Sequence, residues 1–323
     1  MAEYKGIHGT KIQNYTSDPA NPLTGQVWFN STSSSLKVNA GALVASWSTG
    51  NNLNAGRQST GNFGIQTAAI TTGGYQPGAS PTRAAITESY NGTNWTEVNN
   101  LNSGRSSMGA AGTQTAGLVF GGNGSPPRLA NTETWNGTNW TEVNDLNVAK
   151  LGLTGAGTST AALASGGLTS TAATAATELW NGTNWTEVND LNVPRYGSAG
   201  AGITNTAALS FAGNVGNAKN ELWNGTNWTE VNDLNSGRDE CSGSGIQTAA
   251  LAFGGQTAQA LTESWNGTNW TETADLNTGR HSMGVNSAGT NNTSALTQGG
   301  TPGVSAATEE FSFVGGIQTI GTS

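Results

Sequence analysis

Hydrophobic positions return along this chain in a long cycle. Tryptophan stands at 47, 95, 140, 185, 228 and 270, at intervals of 48, 45, 45, 43 and 42 residues. Around each one, apolar residues fall in short alternating runs divided by Gly, Ser, Thr and Asn, which predicts short strands and tight turns. The most regular stretch is Trp135-Asn-Gly-Thr-Asn-Trp140-Thr-Glu-Val-Asn-Asp-Leu-Asn147. Nearly the same words recur at Trp180–Asn192, Trp223–Asn235 and Trp265–Asn277, and with Tyr in first place at Tyr90–Asn102. Asn-Gly between two aromatic, β-leaning segments signals a hairpin, because both residues tolerate positive φ.

Each cycle has one grammar. A basic residue comes first: Arg57, Arg105, Lys150, Arg195, Arg238 or Arg280. A strand of small residues follows (strand a), then an apolar strand centred on Ile70, Leu118, Leu163, Leu209, Leu251 or Leu296 (strand b). Strand b ends in a double glycine, with Ala212-Gly213 the one variant. A loop leads to Thr-Glu-x-aromatic (strand c), the Asn-Gly-Thr-Asn turn and the Trp-bearing strand d. After Gly299-Gly300 the sixth unit supplies Thr308–Phe313 as strand c, and no Trp strand follows it. Conversely, Leu43–Ser48 carries Trp47 and lacks the three strands that should precede it.

Two complementary half-units predict an all-β, six-bladed β-propeller of four-stranded blades, closed by the N-terminal strand of Trp47. Closure removes edge strands, and small residues in strand a suit a crowded axis. An open solenoid gives no reason for the two halves. The expected organisation is a segment at 1–42 with a short hairpin (Val27–Asn30 and Leu36–Val38), the propeller at 43–314 and a tail at 315–323. Trp47, Trp95, Trp140, Trp185, Trp228 and Trp270 are the expected structural core.

Composition narrows the function classes. Only 34% of residues are hydrophobic and 47 are Gly, which alone would suggest disorder. Eleven tryptophans at regular spacing need burial, and stacked repeats provide it. The net charge is −8 and no run of Lys or Arg occurs, so a nucleic-acid partner is set aside. Cys241 is the only cysteine, which excludes an intrachain disulfide and a metal site of several thiolates. No apolar run reaches membrane-spanning length, and Met-Ala-Glu-Tyr-Lys-Gly has no apolar signal core. The expectation is synthesis in the cytoplasm without membrane insertion.

A double glycine closing strand b, an aromatic in strand c and a Trp in strand d resemble the kelch repeat, a propeller family, over residues 43–313. The strand c to d hairpin is tighter here, with four residues between Tyr90 and Trp95. The leader Gly6–Tyr15, with Asp18-Pro-Ala-Asn-Pro22 and Gly25-Gln-Val-Trp-Phe-Asn30, resembles the N-terminal segment of structural proteins of marine tailed phages. That resemblance implies a virion location, contacts with other virion proteins through residues 1–42, and room for a homo-oligomer on the particle.

Candidate contacts follow from the expected topology. The six basic residues sit at the d–a connections and would ring one mouth of the axis, either to meet an anion, carbohydrate or peptide, or to pair with a repeated acid. The acids available are Glu88, Glu133, Glu178, Glu221, Glu263 and Glu309, or Asp145, Asp190, Asp233 and Asp275. The b–c loops open on the same face and differ between units, and loops on a rigid scaffold are where binding concentrates. Tyr75, Gln76, Arg83, Arg128 and Lys219 are the expected contact residues there, facing host-surface glycan or neighbouring virion proteins. The other reading is an intracellular kelch-type module gripping a peptide at an Arg-lined mouth.

Catalysis is not expected. Copper oxidases that resemble kelch proteins use Tyr, Cys and His ligands, and His8 and His281 lie too far apart to supply them. No Ser-His-Asp set is available, and Glu97, Glu142, Glu187, Glu230 and Glu272 recur just after Trp, as strand-end residues would. No cofactor or metal is expected. Asn-Gly-Thr and Asn-Trp-Thr match glycosylation sequons but read as turn chemistry, and Cys241 reads as an inert small residue.

Overall fold

The computed structural model describes residues 12–320 of the 323-residue chain except 22, 40, 42, 79–80, 215–217, 257–258, 285–287 and 315–316. Residues 1–11, His8 among them, lie outside the described residues. Among those described, every regular element is a strand, and the strands form seven four-stranded sheets in a propeller-like, all-β arrangement. The chain divides into two compact units, residues 1–46 with 312–323, and residues 47–311.

In the first unit, β1 (Gln13–Tyr15) runs parallel to β2 (Val27–Asn30), which pairs antiparallel with β3 (Ser35–Asn39) as the expected hairpin. Asn30 Oδ1 accepts from the amides of Thr32 and Ser33, which sets the Ser/Thr turn. Asp18 accepts from Asn30 Nδ2 at 2.8 Å and from Trp28 Nε1 at 3.0 Å, and these bonds hold its carboxyl below the usual range. The last strand of the chain, β28 (Ile317–Ile320), adds to β3 with Gln318 opposite Val38. The segment expected as a separate tail thus groups with the N-terminal residues, its strand adding a fourth to their sheet.

The repeat unit follows the predicted grammar. Strand β4 (Val44–Gly50) comes first, then β5–β8 (Gly61–Ile65, Ala68–Thr72, Thr87–Tyr90, Trp95–Val98) and β9–β12 (Gly109–Thr113, Ala116–Phe120, Thr132–Trp135, Trp140–Val143). Next are β13–β16 (Thr154–Gly157, Ala162–Ser165, Thr177–Trp180, Trp185–Val188) and β17–β20 (Ala199–Thr204, Ala207–Phe211, Asn220–Trp223, Trp228–Val231). The last are β21–β24 (Ser242–Ile246, Ala249–Phe253, Thr262–Trp265, Trp270–Glu272) and β25–β27 (Ala288–Asn291, Ser294–Gln298, Thr308–Val314). Each consecutive set of four is one antiparallel a-b-c-d sheet, and the sixth has the order β25-β26-β27-β4. Trp47 therefore sits where strand d of the sixth sheet belongs.

Local chemistry explains each word of the repeat. In Trp135–Trp140, Asn136 Oδ1 accepts from the amides of Thr138 and Asn139, and Gly137 takes φ 91°. Trp135 and Trp140 face each other across the hairpin with ring centroids 5.3 Å apart. Asn139 Oδ1 accepts at 2.8 Å from Asn99 of the preceding sheet, and Asn144 donates at 2.8 Å to Asn184 of the next. Asp145 caps the Thr132 amide at 3.3 Å, and Leu146 is buried. At the end of strand b, Gly121 and Gly122 have φ 65° and 107°, and a Cβ on Gly121 would lie 2.7 Å from the Lys150 carbonyl. That close approach is why two glycines close the strand.

Apolar cores lie between neighbouring sheets. Phe63 of one sheet packs with Val119, Trp135 and Trp140 of the next, and Leu296 of the sixth packs with Ala69, Tyr90 and Trp95 of the first. Trp140, Trp185, Trp228, Trp47 and Trp95 each donate their indole N–H at 3.0–3.1 Å to a Thr hydroxyl of the preceding sheet. Trp270 breaks the pattern. Asn220 holds the place of that Thr, and both Trp270 Nε1 and Asn220 Oδ1 are buried without partners. Asn220→Thr should restore the bond and stabilise the protein by about 1 kcal/mol, read as a higher urea midpoint. An unchanged or lower midpoint would contradict the assignment.

The inner ends of the sheets meet in a repeating backbone circuit. Ser107 donates its N–H to Ser59 O, Gly152 to Ser107, Gly197 to Gly152, Glu240 to Gly197, Ser282 to Glu240 and Ser59 to Ser282, at 2.6–3.1 Å. All six residues have φ between 51° and 65°. A left-handed conformation costs a non-glycine residue roughly 1 kcal/mol or more. The hydrogen bond made in that conformation offsets the cost at Ser59, Ser107, Glu240 and Ser282.

Candidate functional site

The six basic residues are 0–3% exposed. Each faces the strand c glutamate of its own sheet: Arg57 with Glu88, Arg105 with Glu133, Lys150 with Glu178, Arg195 with Glu221, Arg238 with Glu263 and Arg280 with Glu309. The first five pairs are 2.6–3.1 Å apart. Of the acids named from the sequence, the glutamates are the partners. Asp145, Asp190 and Asp275 instead cap the amides of Thr132, Thr177 and Thr262.

Each pair belongs to a larger clamp. Arg105 Nη1 donates to the carbonyls of Gly121 and Asn131 while Nη2 donates to Glu133 Oε1. Glu133 Oε2 accepts the amide and the side-chain Nδ2 of Asn102, both at 2.8 Å, and Asn102 Nδ2 also reaches the Trp140 carbonyl. Asn54, Asn147, Asn192, Asn235 and Asn277 do the same with Glu88, Glu178, Glu221, Glu263 and Glu309 at 2.7–2.9 Å. In the sixth sheet the carbonyl bonded by Asn277 is that of Trp47.

Burial lowers the pKa of Arg57, Arg105, Lys150 and Arg195, and the facing glutamate of each opposes that shift. Removing two ions from water costs several kcal/mol per ion, so the clamp's yield is geometry: it fixes each d–a linker against the following sheet. The cations serve the fold and leave no arginine-lined mouth for a peptide.

Lys150 is the weak member. Its Nζ lies 3.1 Å from Glu178 Oε1 without a well-aligned hydrogen bond, and it reaches the Ala176 carbonyl at 3.3 Å. A planar fork serves three acceptors where an ammonium serves fewer. Lys150→Arg should therefore stabilise the protein by about 1 kcal/mol in thermal or urea unfolding. A loss of stability would show that the third sheet holds its cation differently.

The five expected loop contacts have different fates. Tyr75 exchanges both backbone hydrogen bonds with Gln58, and Gln76 N donates to Thr82 O at 2.8 Å, so both shape the first b–c loop. Lys219 pairs with Glu230 and Asp233, whose hydrogen bonds, Glu230's first, raise its pKa. Arg83 and Arg128 are half-buried, and neither forms an ion pair among the described residues. Arg83 lines a cleft of about 350 Å³ between the first and second sheets.

Two further cavities lie along the inner strands. One of about 280 Å³ is lined mainly by Gly and Ala of the a strands and offers few donors or acceptors. The other, of about 100 Å³, lies at the backbone circuit and includes Tyr196, Glu240, Cys241 and Ser282. There Glu240 Oε2 is 2.9 Å from His281 Nδ1 and accepts from Ser282 Oγ at 2.7 Å. The sequence alone does not reveal this pairing of His281 with Glu240. The available signal was a glutamate standing where the other units have Ser or Gly. Cys241 is buried, and desolvation pushes its thiol up to about 11, so it carries no thiolate at neutral pH.

No protein-family model matches the chain, and no curated protein matches it.

Proposed function

We propose that the repeat unit is a closed, six-bladed, kelch-like β-propeller, and that the chain is a non-enzymatic structural or adhesion protein of a phage particle. The N-terminal segment docks on the particle, and the propeller turns its b–c loops toward host-surface glycan or neighbouring virion proteins. Closure is supported by the circuit of six amides that returns to Ser59, and by β4 completing the sixth sheet with Trp47 clamped by Asn277. The seventh sheet belongs to the other unit and is not a blade.

The observation that carries the display reading is the division of labour among cations. Six are buried against strand c glutamates, while Arg83 and Arg128 form no ion pair among the described residues and stand in loops that differ from blade to blade. A scaffold so repetitive, with variable loops on one face, suits presentation rather than turnover. The leader's likeness to virion proteins supplies the docking partner. A chain lacking residues 1–42 should fail to join particles, measured by co-sedimentation with particles grown without the native copy. Undiminished incorporation would refute docking through that segment.

A further inference from the structure

Arg83 and Arg128 hold the same position in adjacent sheets. Each precedes the residue whose N–H bonds the second glycine of its pair, Ala84 to Gly74 O at 2.8 Å and Leu129 to Gly122 O at 2.9 Å. Unlike the six clamp cations, neither forms an ion pair among the described residues, and both are only half-buried. A guanidinium carries its charge at every physiological pH and has five donors in a fixed fork, so one without an internal acid is open to an anionic acceptor from outside.

The cleft beside Arg83 supplies the rest of a site. Its wall includes Thr82, Ser103, Ser125, Leu129 and Asn131. These are three hydroxyls, an amide and one apolar side chain around a single cation. Asn131 Nδ2 is already committed to Glu142 Oε1 at 3.1 Å, which leaves Oδ1 to accept from a ligand hydroxyl. One fork matches one planar carboxylate, and neutral hydroxyls and an apolar face match a sugar ring. A densely charged polyanion fits poorly, because the chain carries a net charge of −8.

We propose that this cleft binds an acidic sugar, its carboxylate paired with Arg83 and its hydroxyls meeting Thr82, Ser103 and Ser125. Arg128 adds attraction from the neighbouring loop. The inference rests on the adhesion reading and narrows its glycan to uronic-acid or sialic-acid types.

The test is calorimetric titration of the full chain with galacturonic acid and sialyllactose, each carrying a single carboxylate, beside neutral galactose and lactose. At least one acidic sugar should bind, more weakly as salt rises. Arg83→Gln should weaken binding by about tenfold or more, and Arg128→Gln by about threefold. The unfolding midpoint of Arg83→Gln should stay within error of the unsubstituted chain, because Arg83 makes no ion pair. Binding of neither acidic sugar, or equal binding by Arg83→Gln, overturns the proposal. Neutral sugars bound equally by both chains would overturn it while leaving adhesion standing. Arg83-dependent acidic-sugar binding by a chain absent from particles would support the cleft and sink the virion reading alone.

Discussion

Glu133→Ala should destabilise the protein by about 3–5 kcal/mol. The substitution strips the counter-ion from Arg105, which is fully buried, and removes the acceptor for two Asn102 donors at once. An uncompensated buried charge accounts for most of that cost, and unpaired amides add roughly 1–3 kcal/mol when desolvated. Changing both members of the pair should cost less than the sum of the single losses, since neither leaves a lone ion behind. Urea unfolding of Glu133→Ala, Arg105→Met and the double variant would give the coupling, expected at 1 kcal/mol or more. Additive losses would mean that the pair is not the working unit of the clamp.

Trp140→Ala should cost a similar amount, about 3–5 kcal/mol, as a large core truncation between sheets. The ring is 6% exposed and packs on Trp135 and on Phe63, the latter at 6.2 Å in the preceding sheet. Its indole N–H bonds Thr87 Oγ1 of that same sheet. Trp140→Phe should therefore lose roughly 1 kcal/mol more than Trp270→Phe, because the Trp270 N–H has no partner to forfeit. Equal losses from the two Phe variants would remove the hydrogen bond from the account and leave packing alone.

How far these features were legible depends on the range of the interaction behind them. The Asn-Gly-Thr-Asn hairpin was legible because its chemistry is local: Asn136 bonds amides two and three residues on, and Gly137 supplies the positive φ. Strand order within each sheet was legible because the cycle repeats it, and the half-unit around Trp47 announced its own missing complement. Burial of the basic residues was one of two open readings. Asn102 closes the repeated word in the sequence, but its role was not legible, since its partner Glu133 lies 31 residues away.

The left-handed residues of the inner circuit gave no signal either. Ser59, Ser107 and Ser282 are ordinary in sequence, and only their contacts across sheets require positive φ. The β28 pairing is not legible because Ile317-Gln-Thr-Ile320 has no period-2 pattern and its partner β3 lies nearly the whole chain away. Arg83 and Arg128 were picked as loop residues, but their equivalence appears only through the amides that follow them. The Ser103 and Ser125 walls of the cleft come from two connections that sequence reading treats separately.

The measurement closest to the central claim is quantitative mass spectrometry of purified phage particles from the source culture. This chain is expected at a copy number like that of other structural proteins, retained after high-salt washing. Its absence from intact particles, with the protein found free in the lysate, would contradict the display reading and leave the repeat unit to be tested as a free binding module.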